Sequence, residues 1–284
     1  MIAARIFGSR GWYGFRSNPL SLIGLALTLA IVLLAIFAPF VAPYPRHAGS
    51  FIDFKNASLG PSAAYWFGTD LAGRDILSRT IFAYRISFAI VLGVLVAAVP
   101  IGILVGLIAG YRGGWYESIL MRVTDVFLSI PPLVLALAIL GLLPPSLINA
   151  VLALTVMWWP WYARLTYNLT RRFRREGYVV AAEVIGASRF HIMFREILPN
   201  CIPSLVTKMT LDVGIIILVS AALGFLGLGV QAPTPELGSM VAEGARNLPH
   251  LWWMAVFPGF AILVGVFAFN LLGDGLKDIW EVSA

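Results

Sequence analysis

The chain has 284 residues, of which 60% are hydrophobic and only 12% charged, about half the charged share of an average soluble domain. That balance excludes an ordinary soluble fold and points to an all-α polytopic membrane protein, so the net charge of +6 speaks first about which loops stay in the cytoplasm and only then about nucleic acid. The single cysteine, Cys201, excludes an intrachain disulfide and a thiolate metal cluster, and His47, His191 and His250 are too scattered to form a metal site.

Residues 1–19 carry Arg5, Arg10 and Arg16 and read as a cytoplasmic N-terminal segment. A spanning helix needs about 20 mainly apolar residues, and the first such run is 20–42 (LSLIGLALTLAIVLLAIFAPFVA). It is too long for the apolar core of a signal peptide, and further spans follow, so it reads as an uncleaved transmembrane helix. Segment 43–85 is then extracytoplasmic. It holds Gly68-Thr69-Asp70 and Gly73-Arg74-Asp75 just before the second span. Asp and Thr favour turns and caps, and glycine gives a turn its reach. Asp70 and Arg74 would pair on one face if the segment were helical. The element reads as a cap that seats the second span, or as a contact for an external binding protein or the pore mouth.

The second span is 86–110, in which Pro100 is expected to kink or locally unwind the helix, and the third is 119–141. Arg122 and Asp125 are three apart near the inner end of the third span. Opposite charges at that spacing share a helical face, and ionisable groups in a bilayer pair or line a cavity. They are candidates for the path or gate, as is Pro131, whose pairing with Pro132 predicts a kink or local unwinding. The fourth span is 146–166. The basic run RRFRR at 171–175 reads as an anchor at the lipid headgroups, and nothing around it supports a nucleic-acid site.

Residues 167–204 form a cytoplasmic loop of unusual character. Arg171 to Val184 predicts one helix and Ala187 to Leu198 a second. Gly186 stands between them, where a sharp turn is cheap, and Pro199 is expected to stop the second helix. Phe190, Ile192, Met193, Phe194, Ile197 and Leu198 are too many apolar residues for a free surface helix, so they must pack on span ends or on a partner. The fifth span is 205–230, in which Lys208 and Asp212 again set opposite charges on one face and are candidates for the path or gate. The sixth is 252–273, and a cytoplasmic tail follows at 277–284, beyond a five-helix core of 86–276.

Orientation follows from basic residues. The loop after span four carries Arg164, Arg171, Arg172, Arg174, Arg175, Arg189 and Arg195, whereas the loop after span three carries none and the loop after span five only Arg246. Six spans then place both termini in the cytoplasm. Segment 43–85 fits this less well, because it holds Arg46, Lys55, Arg74, Arg79 and Arg85.

The chain carries no G-x-x-x-x-G-K-[ST] phosphate loop. GLGVQA at 227–232 fits a dinucleotide pattern but ends an apolar span, where glycine more readily serves close helix packing. No nucleophile–base constellation is apparent, so the chain is not expected to be an enzyme, and uphill transport would draw on a partner or an ion gradient.

Tyr178, Ala181, Ala182, Gly186, Ala187, Ser188 and Ile197-Leu198-Pro199-Asn200 resemble, in type and spacing, the ATPase-docking loop of ABC importer permeases in the peptide/nickel class. Four further stretches resemble the same family's C-type subunits: NPLSLIGLALTLAIVLLAIFAPFVAPYP at 18–45, FGTDLAGRDILSR at 67–79, LGFLGLGVQAPTPELGSMVAEG at 223–244 and FPGFAILVGVFAFNLLGDGLKD at 257–278. The loop departs from the family pattern at Val180, where the family has Glu; Glu183 is acidic but three residues away. The resemblance implies a six-helix, type I importer-like permease with a cytoplasmic coupling helix in a bacterial or archaeal inner membrane. It also implies a second homologous permease, two ATPase subunits that hold ATP and Mg, an extracytoplasmic substrate-binding protein, and no cofactor in this chain. Di- and oligopeptides lead as substrates, with nickel chelates and opines behind. A gradient-driven secondary transporter or channel is the alternative, which predicts repeated halves and midplane charges; neither is visible.

Overall fold

The computed structural model describes residues 10–281; Arg5 and the last residues of the expected tail lie outside them. The described chain is helical, and its only bridge pairing is an isolated antiparallel one between Thr69 and Asp75. The elements are α1 (Arg10–Ser17), α2 (Pro19–Ile36), α3 (Ala38–Val41), α4 (Ile76–Arg112), α5 (Gly114–Ser129), α6 (Pro132–Leu140), α7 (Leu147–Phe173), α8 (Gly177–Val184), α9 (Arg189–His191), α10 (Leu198–Phe225), α11 (Leu237–Ala245) and α12 (Trp253–Glu281). Two compact units result: one is Met1–Leu92, Ile139–Val151 and Thr210–Ala284, the other Gly93–Ala138 and Leu152–Met209.

In the first unit, α2 starts where Asn18 accepts the Leu20 N–H through Oδ1 at 3.0 Å and Pro19 fills the first helical turn, a strong local start signal. Its buried residues are Ser21, Gly24, Thr28, Ile31 and Ala35, a stripe of mostly small side chains at three- and four-residue spacing. That stripe faces α12. A Cβ on Gly24 would sit 2.7 Å from Leu271 Cβ, and one on Gly275 would sit 2.6 Å from Ser21 Oγ. Lipid is as apolar as leucine, so helices in it associate by close packing, and small residues permit the approach. The core is completed by Ile76, Tyr84, Leu237, Met240, Trp253 and Met254. Phe67 stacks on Phe257 at 4.1 Å, and Tyr84 donates to the Ala261 carbonyl at 2.7 Å.

In the second unit α4 and α7 pack through glycines: Gly102, Gly106 and Gly110 leave no room for a Cβ against Tyr162, Thr166 and Thr170. Their four-residue spacing marks one face of α4.

Among the described residues, four helices are long and apolar enough to cross a bilayer: Pro19–Ile36, Ile76–Arg112, the continuous run Arg189–Phe225, and Trp253–Ile279. A fifth is possible if α5 and α6, bent by 85°, make one broken span. The break falls at Pro131-Pro132 as expected, and Ile130 is extended at φ −88°, ψ 129°, the conformation that a following proline imposes. The expected fourth span is α7, which has 27 residues but carries Arg164, Asn168 and the basic end of the helix. Three expectations are corrected. Pro100 lies inside an unbroken α4. The helix expected from Arg171 to Val184 ends at Phe173 and restarts at Gly177. Pro199 does not stop its helix: the preceding turn, Ile192–Ile197, is π-helical, with the Leu198 N–H bonded to the Met193 carbonyl, and this wider turn makes room for the proline ring.

Gly24→Val should therefore loosen the α2–α12 seam by about 1–3 kcal/mol, the usual cost of overpacking. The expected result is a lower thermal unfolding midpoint in detergent, with Gly14→Ala, at a position with open space around its Cβ, as the unaffected control.

Candidate functional site

The loop helix α8 is built to be a discrete, rigid piece. It ends at Ile185, followed by Gly186 at φ +83°. The Ala187 N–H reaches back to the Ala182 carbonyl at 3.0 Å and the Gly186 N–H to the Glu183 carbonyl at 3.1 Å. This pair of bonds is a Schellman closure, which places a left-handed residue where Gly186 stands. A Cβ there would meet nothing within 4 Å, so glycine is needed for conformation and not for space. The spacing of Ala182, Gly186 and Ala187 is thus the spacing of the closure. Ser188 then starts the next helix by accepting the His191 N–H at 3.2 Å.

Three contacts fasten the loop within its unit. Tyr111 of α4 donates to Glu183 Oε1 at 3.1 Å, and the Arg174 guanidinium lies 5.3 Å from the centre of the same ring. Asn200 donates to the Tyr178 hydroxyl at 3.2 Å and to the Glu196 carbonyl at 2.6 Å, tying the start of α8 to the start of α10. Val179 and Ala182 are buried under α8, as are Ile192, Met193 and Ile197 after it. Burial raises the Tyr178 phenol, and the carboxylates of Glu176 and Glu196 push the same way, so it remains a neutral donor and acceptor at physiological pH. Ala181 and Pro199 are exposed. The outer face is apolar: Val180, Val184 (81% exposed), Ile185 (84% exposed) and Phe190. The expectation that the apolar set packs is met by Ile192, Met193 and Ile197, whereas Phe190 stays open against Phe194, with ring centres 4.4 Å apart.

The element before α4 is a turn and not a helix. Asp70 and Arg74 do pair, Arg74 Nε to Asp70 Oδ2 at 2.7 Å, but within a turn. Asp70 Oδ1 accepts the N–H groups of Ala72 and Arg74, each at 2.9 Å. Gly73 sits at φ +77°, where a Cβ would run into the Asp53 carbonyl; Gly68 is likewise left-handed, and the Thr69 hydroxyl donates to the Asn56 carbonyl at 2.7 Å. Asp75 caps α4 by accepting the N–H and hydroxyl of Ser78 at 2.8 and 2.6 Å. Thr69 (0%), Asp70 (3%), Arg74 (8%) and Asp75 (1%) are all buried. Burial raises the Asp75 carboxyl despite the Ser78 bonds.

His47 completes this cap, and no sequence pattern announced it. Its Nδ1 accepts the Asp75 N–H at 2.8 Å while its ring stacks on Phe51 at 4.1 Å. Burial lowers its pKa, although Asp75, Asp70 and Asp53 pull the other way.

The expected Arg122–Asp125 pair is corrected: Asp125 pairs with Arg164 of α7, and Arg122 is exposed on α5. The two α5 positions are only three apart, but Arg164 approaches from the facing helix. The Lys208 ammonium lies 5.3 Å from the centre of the Tyr162 ring, and Asp212 is buried. A second group that the sequence did not single out, Tyr167, Glu117 and Arg171, is joined by a Tyr167–Glu117 hydrogen bond and an Arg171–Glu117 ion pair at 3.3 Å.

Among known proteins, a family model described as the binding-protein-dependent transport system inner membrane component matches residues 102–281. A second, the N-terminal TM domain of oligopeptide transport permease C, matches 7–61. The chain is 40% identical over 280 residues to the probable D,D-dipeptide transport system permease protein DdpC of Escherichia coli, covering 99% of this chain and 93% of the relative. It is 42% identical to the di/tripeptide transport system permease protein DppC of Pseudomonas aeruginosa, over 94% and 89%. The oligopeptide permease OppC of Bacillus subtilis is 37% identical, over 93% and 86%. A solved structure of the MetNI methionine ABC transporter shares the fold with a TM-score of 0.54 at 20% identity, covering 70% of this chain and 92% of that one.

Two predictions follow from the geometry. Gly186→Ala should weaken the Schellman closure by about 1 kcal/mol, the lower end of the cost of a left-handed L-residue, seen as roughly fivefold less hydrogen-exchange protection at residue 187; Gly186→Asn should lose less. The second concerns His47. Its folded pKa lies below the ordinary 6.5, so the unfolded segment binds the extra proton more readily. The stability of the cap should be full above pH 6.5 and fall as pH drops from there toward the folded pKa; the raised Asp75 carboxyl has the opposite sign. Protection of the Asp75 N–H should fall between pH 7.5 and 5.5, and His47→Asn should remove that dependence.

Proposed function

The chain belongs to the family of binding-protein-dependent transport system inner membrane components, and from that premise we propose that it is one half of the translocation path of an ATP-driven peptide importer. Its full-length relatives are named as transporters of dipeptides, tripeptides or oligopeptides, and short peptides are the substrate class proposed here. The proposed assembly pairs this chain with a second homologous permease, two ATPase subunits and an extracytoplasmic binding protein. The proposed topology has six spans, with α7 and the broken α5–α6 pair counted, and both termini in the cytoplasm.

The observation that carries the reading is α8. It is a short closed helix whose buried side is fastened to α4 and α10 and whose outer side presents Val180, Val184 and Ile185 in the open. A chain without a nucleotide loop gains nothing by exposing such a face unless another protein covers it. Val180 stands where the family has Glu, so the proposed contact with the ATPase is apolar on this side. Closure of the ATPases would draw α8 with it, and Tyr111–Glu183 and Asn200–Tyr178 would pass the displacement to α4 and α10.

The test begins with purification of the tagged chain from its native membrane in mild detergent and identification of co-purifying chains by mass spectrometry. ATPase subunits and a second permease are expected; a chain that purifies alone in several detergents would favour a gradient-driven transporter. Ile185→Asp, which sets a charge against an apolar partner face, should cut ATPase co-purification at least tenfold. Gly186→Pro, which removes an N–H and cannot adopt φ +83° because proline is held near −65°, should abolish uptake while the chain still inserts. Normal uptake by that variant would end the coupling role of α8.

A further inference from the structure

The first unit contains a cavity of about 230 Å³ lined by Arg79, Gln231, Thr234, Ser239, Glu243 and Arg246 among others. Drug-sized ligands occupy cavities of roughly 300–1,000 Å³, so this one suits a smaller molecule. Its charged residues are Arg79, Glu243 and Arg246. Arg79 is buried, at 3% exposure, and its contacts are long: Nε to Asp70 at 3.5 Å, and Nη1 to the carbonyls of His47 and Pro233 at 3.4 Å each. A guanidinium has five N–H donors, so capacity is left over on the cavity side. Glu243 is half-buried on α11, and Arg246 follows it at the helix end. Among the described residues neither makes an ion pair within 4 Å. Burial and the nearby Asp70 raise the Glu243 carboxyl, while Arg74, Arg79 and Arg246 pull it back.

We propose that this cavity is a binding site for a small zwitterion, with its carboxylate received by Arg79 and Arg246 and its ammonium by Glu243. A simple anion would meet the Glu243 carboxylate, and a simple cation would meet two guanidinium groups. A molecule carrying both charges satisfies both, and the buried Arg79 and half-buried Glu243, unlike the exposed Arg246, are retained at low cost only when paired. The polar groups of Thr234 and Ser239 complete a lining suited to a peptide unit. The choice of a peptide zwitterion over other zwitterions rests on the importer reading above. The site would be a second point of selection in the permease, apart from any binding protein.

The test uses the chain as it purifies from its membrane, with whatever subunits accompany it, in nanodiscs without ATP or binding protein. Radiolabelled dialanine is titrated by equilibrium dialysis beside N-acetyl-dialanine and dialanine amide, each of which lacks one charge. Saturable dialanine binding is expected, at least tenfold tighter than that of either blocked analogue. Glu243→Gln should erase the preference over the N-acetyl form, and Arg246→Ala should reduce the preference over the amide several-fold, Arg79 remaining to hold part of it. Arg79 is left in place because it also holds Asp70. Absence of saturable binding, equal binding of the three ligands, or binding indifferent to both substitutions would overturn the proposal. ATP-dependent dialanine uptake in vesicles with the binding protein is read separately. Uptake without binding at the cavity sinks the site and leaves the importer standing; binding without uptake does the reverse.

Discussion

In hydrocarbon, each backbone N–H and C=O has to find its partner inside the protein, because no water is there to take its place. The described part of this chain is helical for that reason, and most of its local chemistry is devoted to helix ends. Asn18, Ser188 and Glu236 accept N–H groups at three helix starts, and Asp75 does the same for α4. Glu236 is buried to do so, which raises its carboxyl, and the bonds from Gly238 and Ser239 draw it back. Left-handed glycines close the other ends: Gly227 ends α10 with the same two bonds that Gly186 uses for α8, Leu228 to Leu223 and Gly227 to Gly224. The backbone is irregular where such partners exist, as at the Pro131-Pro132 break and the π turn before α10.

The same constraint explains the buried charges of the segment before α4. Taking Asp70, Arg74 and Arg79 out of water costs several kcal/mol per ion unless each is paired and hydrogen-bonded. Here one carboxylate takes two backbone N–H groups and two guanidinium contacts. The cluster is therefore a structural knot in which Asp70 offsets one of the two guanidinium charges and orders both. The first unit thus has a rigid cap on α4, and the cavity lined by Arg79 and Glu243 lies against that cap.

Much of this was legible in the sequence. Long apolar runs located the four apolar helices α2, α4, α10 and α12, and Pro131-Pro132 located the break between α5 and α6. Gly186 was recognised as a turn because few other residues tolerate that position. What stayed hidden depends on pairs far apart in sequence. Nothing local tells that His47 accepts from Asp75, that Tyr111 reaches Glu183, or that Asp125 prefers Arg164 on another helix to Arg122 on its own. The end expected at Pro199 failed for a different reason. Proline breaks an α-helix of regular pitch, whereas one wide turn before it removes the clash, and no residue pattern in IMFREI announces that turn.

In the proposed importer, the loop after α7 would serve as a lever that is both stiff and fastened. A helix of eight residues is below the length at which helices hold together alone in water. α8 persists because Val179 and Ala182 are buried beneath it, Gly186 closes its end, and Tyr111 and Asn200 hold it at Glu183 and Tyr178. Those anchors lie at opposite ends of the helix and lead to different spans. A displacement applied to the open face at Val180, Val184 and Ile185 would move α8 as a body and divide between α4 and α10, whereas a loop fastened at one end would swing and pass little on. In the proposed importer the coupling would then be a matter of where the helix is anchored, and the missing acidic residue at position 180 would alter the grip of the partner without altering the lever.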